Sequence, residues 1–183
     1  MVKKTGNLEK FYQYAFPMQA AILTCNDKNG KTNPMTIAWH TSISKKPPLY
    51  GVSIAPSRYS YKLIKESKEF AINFTTYNYV KKIHLCGKKS GRNIDKIKET
   101  GFTLLKSKKI KTKIIKECYA NLECKLHRVI KIGDHTFFIG KVVNTKIDET
   151  AFENDILNNK KIKPCYYLGN NMYTTIKNIR KQL

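Results

Sequence analysis

The sequence YANLECKLH, residues 119–127, alternates between apolar and polar side chains in the manner of a β-strand. One set of side chains is apolar and would face one side of the strand: Ala120, Leu122, Cys124 and Leu126. The other set is polar and would face the opposite side: Asn121, Glu123, Lys125 and His127. Gly133-Asp134 then predicts a turn, and residues 136–147 (TFFIGKVVNTKI) predict an antiparallel return strand. This hairpin favours a protein built around an antiparallel sheet.

Further strand patterns surround the hairpin. Residues 18–25 (MQAAILTC) form an apolar strand that ends in a hairpin signal at 26–30. The other predicted strands are residues 33–43, 49–55, 69–75, 165–168 and 172–176. Helical patterns cover about 58–68, 78–86 and 91–100, and Gly101 is suited to end the last of them. The sequence therefore predicts a mainly β protein, an antiparallel barrel with inserted helices.

Composition limits the class of protein. The chain has 183 residues, 41% of them hydrophobic, which suits one domain with a packed core. No apolar run approaches the ~20 residues that span a bilayer. The amino-terminal residues lack the apolar core of a signal peptide. The five cysteines are scattered and form no CxxC pair, which is typical of reduced thiols. We expect a soluble, cytoplasmic protein without a metal.

The formal net charge of +22 suggests an anionic partner. All but four of the 35 basic residues are lysines, whereas specific phosphate and base recognition favours arginine. The chain is also rich in Ile and Asn, as the codons of an AT-rich genome would make it. The densest lysine stretch, 106–116, alternates with isoleucine and predicts an exposed strand or loop. A single-stranded nucleic-acid-binding barrel therefore stays an alternative, and codon bias is the favoured explanation.

The segment APSRYSYKLI, residues 55–64, predicts a helix start that could bind phosphate. Ser57 or Ser60 could cap the helix, and its first N–H groups have no partner within the helix. Arg58 and the Ser60 hydroxyl would add charge-assisted donors. The alternative is an ordinary capped helix with an exposed arginine.

The segment HLCGKKSGRNIDK, residues 84–96, admits several interpretations. His84 and Cys86 supply two metal ligands, but no matching second pair follows at zinc-ligand spacing. Cys86 could be a nucleophile with His84 as its base, but side chains two positions apart on a helix point away from each other. No third group that would orient the histidine is evident. Ser90-Gly91 predicts a loop before a helix that begins near Arg92, which would again favour an anion. These patterns alone define no reaction.

Five segments, in order along the chain, resemble the flavin reductase-like proteins of the flavoredoxin group. The segments are NPMTIAWHTSIS (33–44), VSIAPSRYSYKLIKESKEFAINF (52–74), HLCGKKSGRNIDKIKETGF (84–102), GDHTFFIGKV (133–142) and PCYYLGNNMY (164–173). The resemblance covers about residues 14–175 and implies an FMN-binding split barrel. It implies a single flavin reductase-like FMN-binding domain over residues 1–183.

The resemblance also implies which residues contact FMN. Asn33 and Trp39 would lie against the ring or its ribityl chain, and the backbone from Thr36 to Thr41, including Ala38 and His40, would contact the edge of the ring. Arg58 and Ser60, with Tyr59 between them, would hold the phosphate. The remaining implied contacts are Ser90, Gly91, Lys96, His135 and one of Tyr166 and Tyr167, for which we take Tyr167. His84 and Cys86 would then be packing residues. Asn170-Asn171 departs from the family, where glycines are common.

The activity implied by the resemblance is that of an FMN-dependent oxidoreductase. Electrons would pass from a nicotinamide coenzyme, NADH or NADPH, or from a redox protein, through FMN to an acceptor. The alternative within the family is an FMN electron carrier without coenzyme activity. Because the flavin carries the chemistry, no side chain is named as catalytic. The resemblance implies a homodimer with the flavin near the interface.

Overall fold

The computed structural model describes residues 1–179, and it is mostly β-structure. The strands are β1 (Met18–Gln19), β2 (Ala21–Asn26), β3 (Thr32–Ile37), β4 (His40–Ser44), β5 (Leu49–Ile54), β6 (Glu69–Phe74), β7 (Leu104–Leu105), β8 (Ile114–Ile115), β9 (Ala120–Ile132), β10 (His135–Ile147), β11 (Phe152–Glu153), β12 (Ile156–Leu157), β13 (Tyr166–Gly169) and β14 (Met172–Thr174). The α-helices are α1 (Tyr59–Ser67), α2 (Val80–Lys88) and α3 (Lys96–Thr100). Short 3₁₀ helices cover Leu8–Ala15, Tyr77–Tyr79 and Glu149–Ala151.

The predicted hairpin is confirmed as β9 and β10, the two longest strands. They pair antiparallel from His135↔Ile132 to Ile147↔Ala120, with register shifts near Gly140. Gly140 is required there because a Cβ at this position would lie 2.6 Å from the ring of Phe70 on β6. The sheet can thus close tightly over the fully buried ring of Phe70.

The seven main strands form an antiparallel sheet in the order β3-β2-β6-β9-β10-β5-β4. Its two edge strands, β3 and β4, are separated in sequence by only Ala38 and Trp39. A chain of two residues cannot cross a flat sheet of this width, so the sheet must curl until its edges approach. The single predicted strand 33–43 is therefore wrong as one element, because it divides between opposite edges. The result is the predicted mainly β fold, a split barrel with inserted helices.

The inside of the curled sheet forms the main core. Phe70, Phe138, Leu23 and Ile72 are fully buried there, and α1 contributes Ile64. Ile64 lies on the face of α1 that packs against β2 and β3. Helix α1 thereby fixes the position of its own first turn relative to β3.

The first part of the polar side of β9 is buried as well, because the chain between β7 and β8 covers Asn121 and Glu123, whereas Lys125 and His127 are exposed. Glu123 is 1% exposed, and its carboxylate accepts hydrogen bonds from the backbone N–H groups of Lys108 and Lys109 at 2.9 and 2.7 Å. Asn73 Oδ1 accepts hydrogen bonds from the Ile115 backbone N–H and from Asn121 Nδ2. Asn121 Nδ2 also donates to the Ile115 carbonyl oxygen. The predicted exposed stretch 106–116 is thus only half right: its lysines are exposed, but Ile110 and Ile114 are buried.

The helix starts differ from the prediction in two places. Helix α1 has Arg58 at its N-cap with no side-chain cap, so neither Ser57 nor Ser60 caps it. Helix α3 begins at Lys96 rather than near Arg92, because Asp95 accepts from the N–H groups of Ile97 and Lys98 at 3.1 Å. Residues 91–95 are therefore turn, and no helix start faces an anion there. Gly101 ends α3 with φ +61°, as predicted.

Candidate functional site

A cleft opens between β3, the first turn of α1, the end of α2 and the loop after α2. It has two adjoining parts, of about 120 and about 270 Å³, that share Arg58, Gly87 and Lys88. The smaller part, here called the basic recess, contains seven of the predicted FMN contacts: Asn33, Arg58, Tyr59, Ser60, Ser90, Gly91 and Lys96. The larger part, here called the tyrosine recess, contains Thr36, Ala38 and Tyr167. The fold thus brings ten of the predicted residues to one cleft.

The basic recess carries five cationic side chains and no carboxylate among its lining residues. The cations are Arg58, Lys88, Lys89, Arg92 and Lys96. Within residues 1–179 the ion pairs join Lys31 to Asp95 and Lys62 to Glu66, and Asp134 contacts His135, so none of these acids neutralises the five cations. Uncompensated cations around a recess favour an anionic ligand.

Lys96 differs from the other four cations because it is buried, at 4% exposure. Its Nζ donates to the carbonyl oxygens of Pro34 at 2.7 Å and Cys86 at 2.8 Å. Burial lowers the pKa of Lys96 below its ordinary value of 10.5. Lys96 therefore joins β3 to α2 beneath the recess, and contact of its ammonium with a ligand stays a prediction.

Asn33 has a buried polar atom without a partner. Its Nδ2 donates to Ser60 Oγ at 2.9 Å, and both side chains are almost fully buried. Its Oδ1 accepts no hydrogen bond from the described part of the chain and lies against Gly91, where a Cβ would be only 1.9 Å away. A ligand hydroxyl or N–H in the recess could supply the missing donor. Gly91 is required because any side chain would displace Asn33.

The tyrosine recess is lined on one side by backbone that the sheet leaves free. β3 is an edge strand, and Thr36, Ile37 and Ala38 at its end border the recess. Backbone groups on the outer side of an edge strand are free to bind a ligand. The backbone of Thr36 and Ala38 is therefore accessible to a ligand in the recess, as the predicted contact with the edge of the flavin ring requires.

Two tyrosines and a histidine line the opposite side of the tyrosine recess. The rings of Tyr167 and Tyr173 lie 5.1 Å apart between centroids, and Tyr173 Oη lies 3.4 Å from His84 Nδ1. Burial raises the pKa of Tyr173 to about 12, which keeps its hydroxyl protonated. Of the two candidate tyrosines, Tyr167 borders the recess.

Asn170 and Asn171 form the turn between β13 and β14 beside this recess. Both have positive φ, 48° and 64°, which matches a two-residue hairpin turn of type I′. Asn tolerates this conformation better than other residues that carry a Cβ. The departure from glycine therefore preserves the turn and places Asn171 at the recess.

Four of the predicted residues lie outside the cleft in a single chain. Trp39 packs between His135, with ring centroids 4.9 Å apart, and Tyr12, at 5.7 Å. His40 is held by Tyr50 Oη at 2.6 Å and the Gln19 carbonyl at 2.9 Å, and burial lowers its pKa. Thr41 is exposed on β4. The structure does not bring these four side chains to the recesses, and their contact with a flavin stays a prediction.

The five cysteines are free and buried. Burial raises the pKa of Cys86 to about 12, and the same cause raises that of Cys25 to about 12. Thiols in this state are unreactive at neutral pH. Within residues 1–179 no three His, Cys, Asp or Glu side chains are grouped to hold a metal ion. In the same range no helix combines the length and apolar character needed to span a membrane.

The sequence reasoning missed several residues that line the cleft. Lys88 and Lys89 border the basic recess, and their signal was their position directly after Gly87 in the quoted stretch. Arg92 was assigned only to a helix start. Tyr173 and His84 come from distant parts of the chain, 89 residues apart, and no local pattern could pair them.

A curled antiparallel sheet with a basic recess beside an aromatic one defines a split barrel suited to an anionic ligand with an aromatic part. The chain belongs to the flavin reductase-like family, because residues 13–175 match the family described as "Flavin reductase like domain". An uncharacterised protein of Archaeoglobus fulgidus is 37% identical over 132 residues, which are 72% of this chain and 73% of that protein. An uncharacterised protein of Pyrococcus abyssi is 37% identical over 142 residues, or 78% of this chain and 81% of that one.

Solved structures agree with the fold. Flavoredoxin from Methanosarcina acetivorans is 29% identical, with a TM-score of 0.87 over 100% of this chain and 95% of that one. An FMN-binding protein from Thermus thermophilus, solved with bound 1-cyclohex-2-enone, is 26% identical, with a TM-score of 0.83 over 100% of this chain and 99% of that one. The predicted family and split-barrel fold are thus confirmed.

Proposed function

We propose that the protein binds FMN in this cleft and acts as an FMN-dependent oxidoreductase. The observation that carries the proposal is the juxtaposition of unpaired cations at one end of the cleft with free strand backbone and tyrosines at the other. FMN has the matching polarity, a dianionic phosphate joined by a ribityl chain to a flat ring. The similar flavoredoxin and FMN-binding structures support the choice of FMN.

The phosphate is proposed to lie in the basic recess. Arg58, Lys88, Lys89 and Arg92 supply positive charge without a carboxylate competitor. Arg58 stands at the N-cap of α1, so the first N–H groups of a nine-residue helix lie beside it. A phosphate monoester suits this arrangement because its oxygens accept several charge-assisted hydrogen bonds at once.

The ribityl chain is proposed to pass Asn33 and Gly91. Its hydroxyls would satisfy Asn33 Oδ1, the buried acceptor that has no partner among residues 1–179. The ring would then reach the tyrosine recess, where the end of β3 offers N–H and C=O groups and Tyr167 offers an aromatic face. The protein residues bind and orient, and the bound flavin supplies the hydride and electron transfer.

We also propose that the protein works as a homodimer in which a second copy completes the ring end. Trp39 and His135, which the family resemblance assigns to the flavin, lie together off the cleft of their own chain. Near them, Phe11 and Tyr14 on the first 3₁₀ helix are 66% and 65% exposed, which is unusual for aromatic side chains. Packing of two such surfaces would bury these rings and could bring Trp39 to the neighbouring cleft.

Titration with flavin tests the proposal directly. We expect the purified protein to be yellow, or to quench the fluorescence of added FMN at about one per chain. A colourless protein that leaves FMN fluorescence unchanged would refute flavin binding.

Steady-state oxidation of NADH and NADPH then distinguishes a coenzyme-oxidising enzyme from an FMN electron carrier without coenzyme activity. We expect turnover with at least one coenzyme in the presence of an excess flavin or dye acceptor. FMN binding without coenzyme oxidation would instead identify an electron carrier that a redox protein reduces.

A further inference from the structure

The two loops that border the basic recess are joined across its outer end by Arg92. Arg92 Nη1 donates to the Ser57 carbonyl oxygen at 3.1 Å, and the guanidinium lies over the ring of Tyr59, 5.2 Å from its centroid. The Arg92 backbone N–H donates to Ser90 Oγ at 3.3 Å. We call this set of contacts the Arg92 latch. It connects the loop after α2 to the loop before α1.

The latch lies at the end of the recess where a nucleotide phosphate would sit. Ser57, Tyr59, Ser90 and Arg92 all line the basic recess, whose volume is about 120 Å³. A phosphate with part of its ribityl chain suits this space, and a second phosphate and an adenosine would extend beyond it. A longer nucleotide would have to leave the recess between the two loops, where the latch crosses.

We propose that Arg92 is a specificity-determining residue that makes the chain prefer FMN over FAD. The inference rests on the proposed function, since it requires the flavin phosphate to occupy the basic recess. FMN ends in a free phosphate, over which the latch can close. In FAD the same phosphate carries an adenosine monophosphate portion, which would hold the two loops apart and break both contacts of the Arg92 side chain.

The strength of the latch limits the selectivity that it can provide. A ligand shifts a conformational equilibrium only by its differential interaction with the two states. Both contacts are exposed, so the hydrogen bond is counted at its ordinary net value, and together they correspond to roughly a 5- to 60-fold change in affinity. FMN should therefore bind the native protein about 5- to 60-fold more tightly than FAD, by this mechanism.

The test is the ratio of the FAD and FMN dissociation constants, measured by fluorescence titration of the full chain. Arg92→Ala should reduce the ratio to near one, mainly by strengthening FAD binding relative to FMN. Arg92→Lys keeps the charge but lacks the planar guanidinium that stacks on Tyr59, so it should also lose most of the selectivity. The matched control is Arg128→Ala, an exposed arginine on β9 that should keep the native ratio.

Three results would overturn the latch. One is equal affinity of the native protein for FMN and FAD, and another is a native ratio retained in Arg92→Ala. A full native ratio in Arg92→Lys would show that charge, not the latch, selects the cofactor. Absence of binding of either flavin to the native protein would be a different result, which refutes the proposed function itself.

Discussion

Replacement of Lys96 by methionine should destabilise the protein and loosen the cleft. The variant removes the two short hydrogen bonds from Nζ to the Pro34 and Cys86 carbonyl oxygens, 2.7 and 2.8 Å long. Each hydrogen bond from a charged donor is worth about 1.5–3 kcal/mol, and the cost of burying the ammonium offsets part of the sum. We expect a net loss of about 2–4 kcal/mol in the free energy of unfolding, or roughly 4–16 °C in Tm at this chain length.

The assay is urea unfolding followed by circular dichroism, paired with FMN titration of the folded variants. Lys98→Met is the matched control, because Lys98 lies exposed on the same helix. FMN binding should weaken in Lys96→Met and Lys96→Ala, since Pro34 adjoins Asn33 and Cys86 adjoins Gly87 in the cleft wall. Equal unfolding free energies for Lys96→Met and Lys98→Met would refute the stabilising role of the Lys96 hydrogen bonds that join β3 to α2.

The pH dependence of stability in Lys96→Met, compared with the native protein, gives a second test of the burial of Lys96. Because the pKa of Lys96 is lowered in the folded chain, the unfolded chain binds more protons between that lowered value and the ordinary value of 10.5. Stability rises with pH wherever the unfolded state binds more protons, so the native protein should gain stability relative to Lys96→Met across this range. A difference that stays flat or shrinks as pH rises there would contradict the burial of a charged Lys96.

Three further predictions concern the phosphate, the thiols and the covered sheet face. FMN should bind about 30- to 1,000-fold more tightly than riboflavin, because the phosphate accepts several charge-assisted bonds, and Arg58→Ala should erase much of that preference in parallel titrations. Cys86→Ala should keep native flavin content and coenzyme oxidation, since burial raises the pKa of the thiol to about 12 and leaves it unreactive. For the same reason an aromatic disulfide reagent should label the buried cysteines of the native protein far more slowly than those of the unfolded protein. Glu123→Gln should lower the unfolding free energy by about 1–3 kcal/mol, because an amide offers one acceptor oxygen to the N–H groups of Lys108 and Lys109.

Each of these has an outcome that would contradict it. Equal affinity for FMN and riboflavin would place the phosphate outside the basic recess. Loss of turnover in Cys86→Ala with FMN still bound would identify the thiol as a redox relay. Unchanged stability of Glu123→Gln in urea would show that the loop over β9 is held by its isoleucines alone.

The sequence by itself determined those features that depend on local periodicity. The alternation from Ala120 to Leu126 predicted β9 because side chains two apart in a strand share a face. The turn at Gly133-Asp134 then required β10 to return beside it. In the same way Arg58 and Ser60 were placed correctly beside one another at a helix start, since both lie within one turn of α1.

Tertiary structure alone decided which surfaces are covered and which side chains meet. The alternation of β9 could not reveal that Glu123 is buried, because burial of its face depends on a loop from elsewhere in the chain. Lys96 looked like a mobile cation for the ligand, yet two distant backbone carbonyls hold it beneath the recess. His84 on α2 and Tyr173 on β14 meet only because the fold brings together two positions that are 89 residues apart. Local patterns report the period of the backbone, whereas burial and partnership are set by long-range contacts that no single stretch of sequence contains.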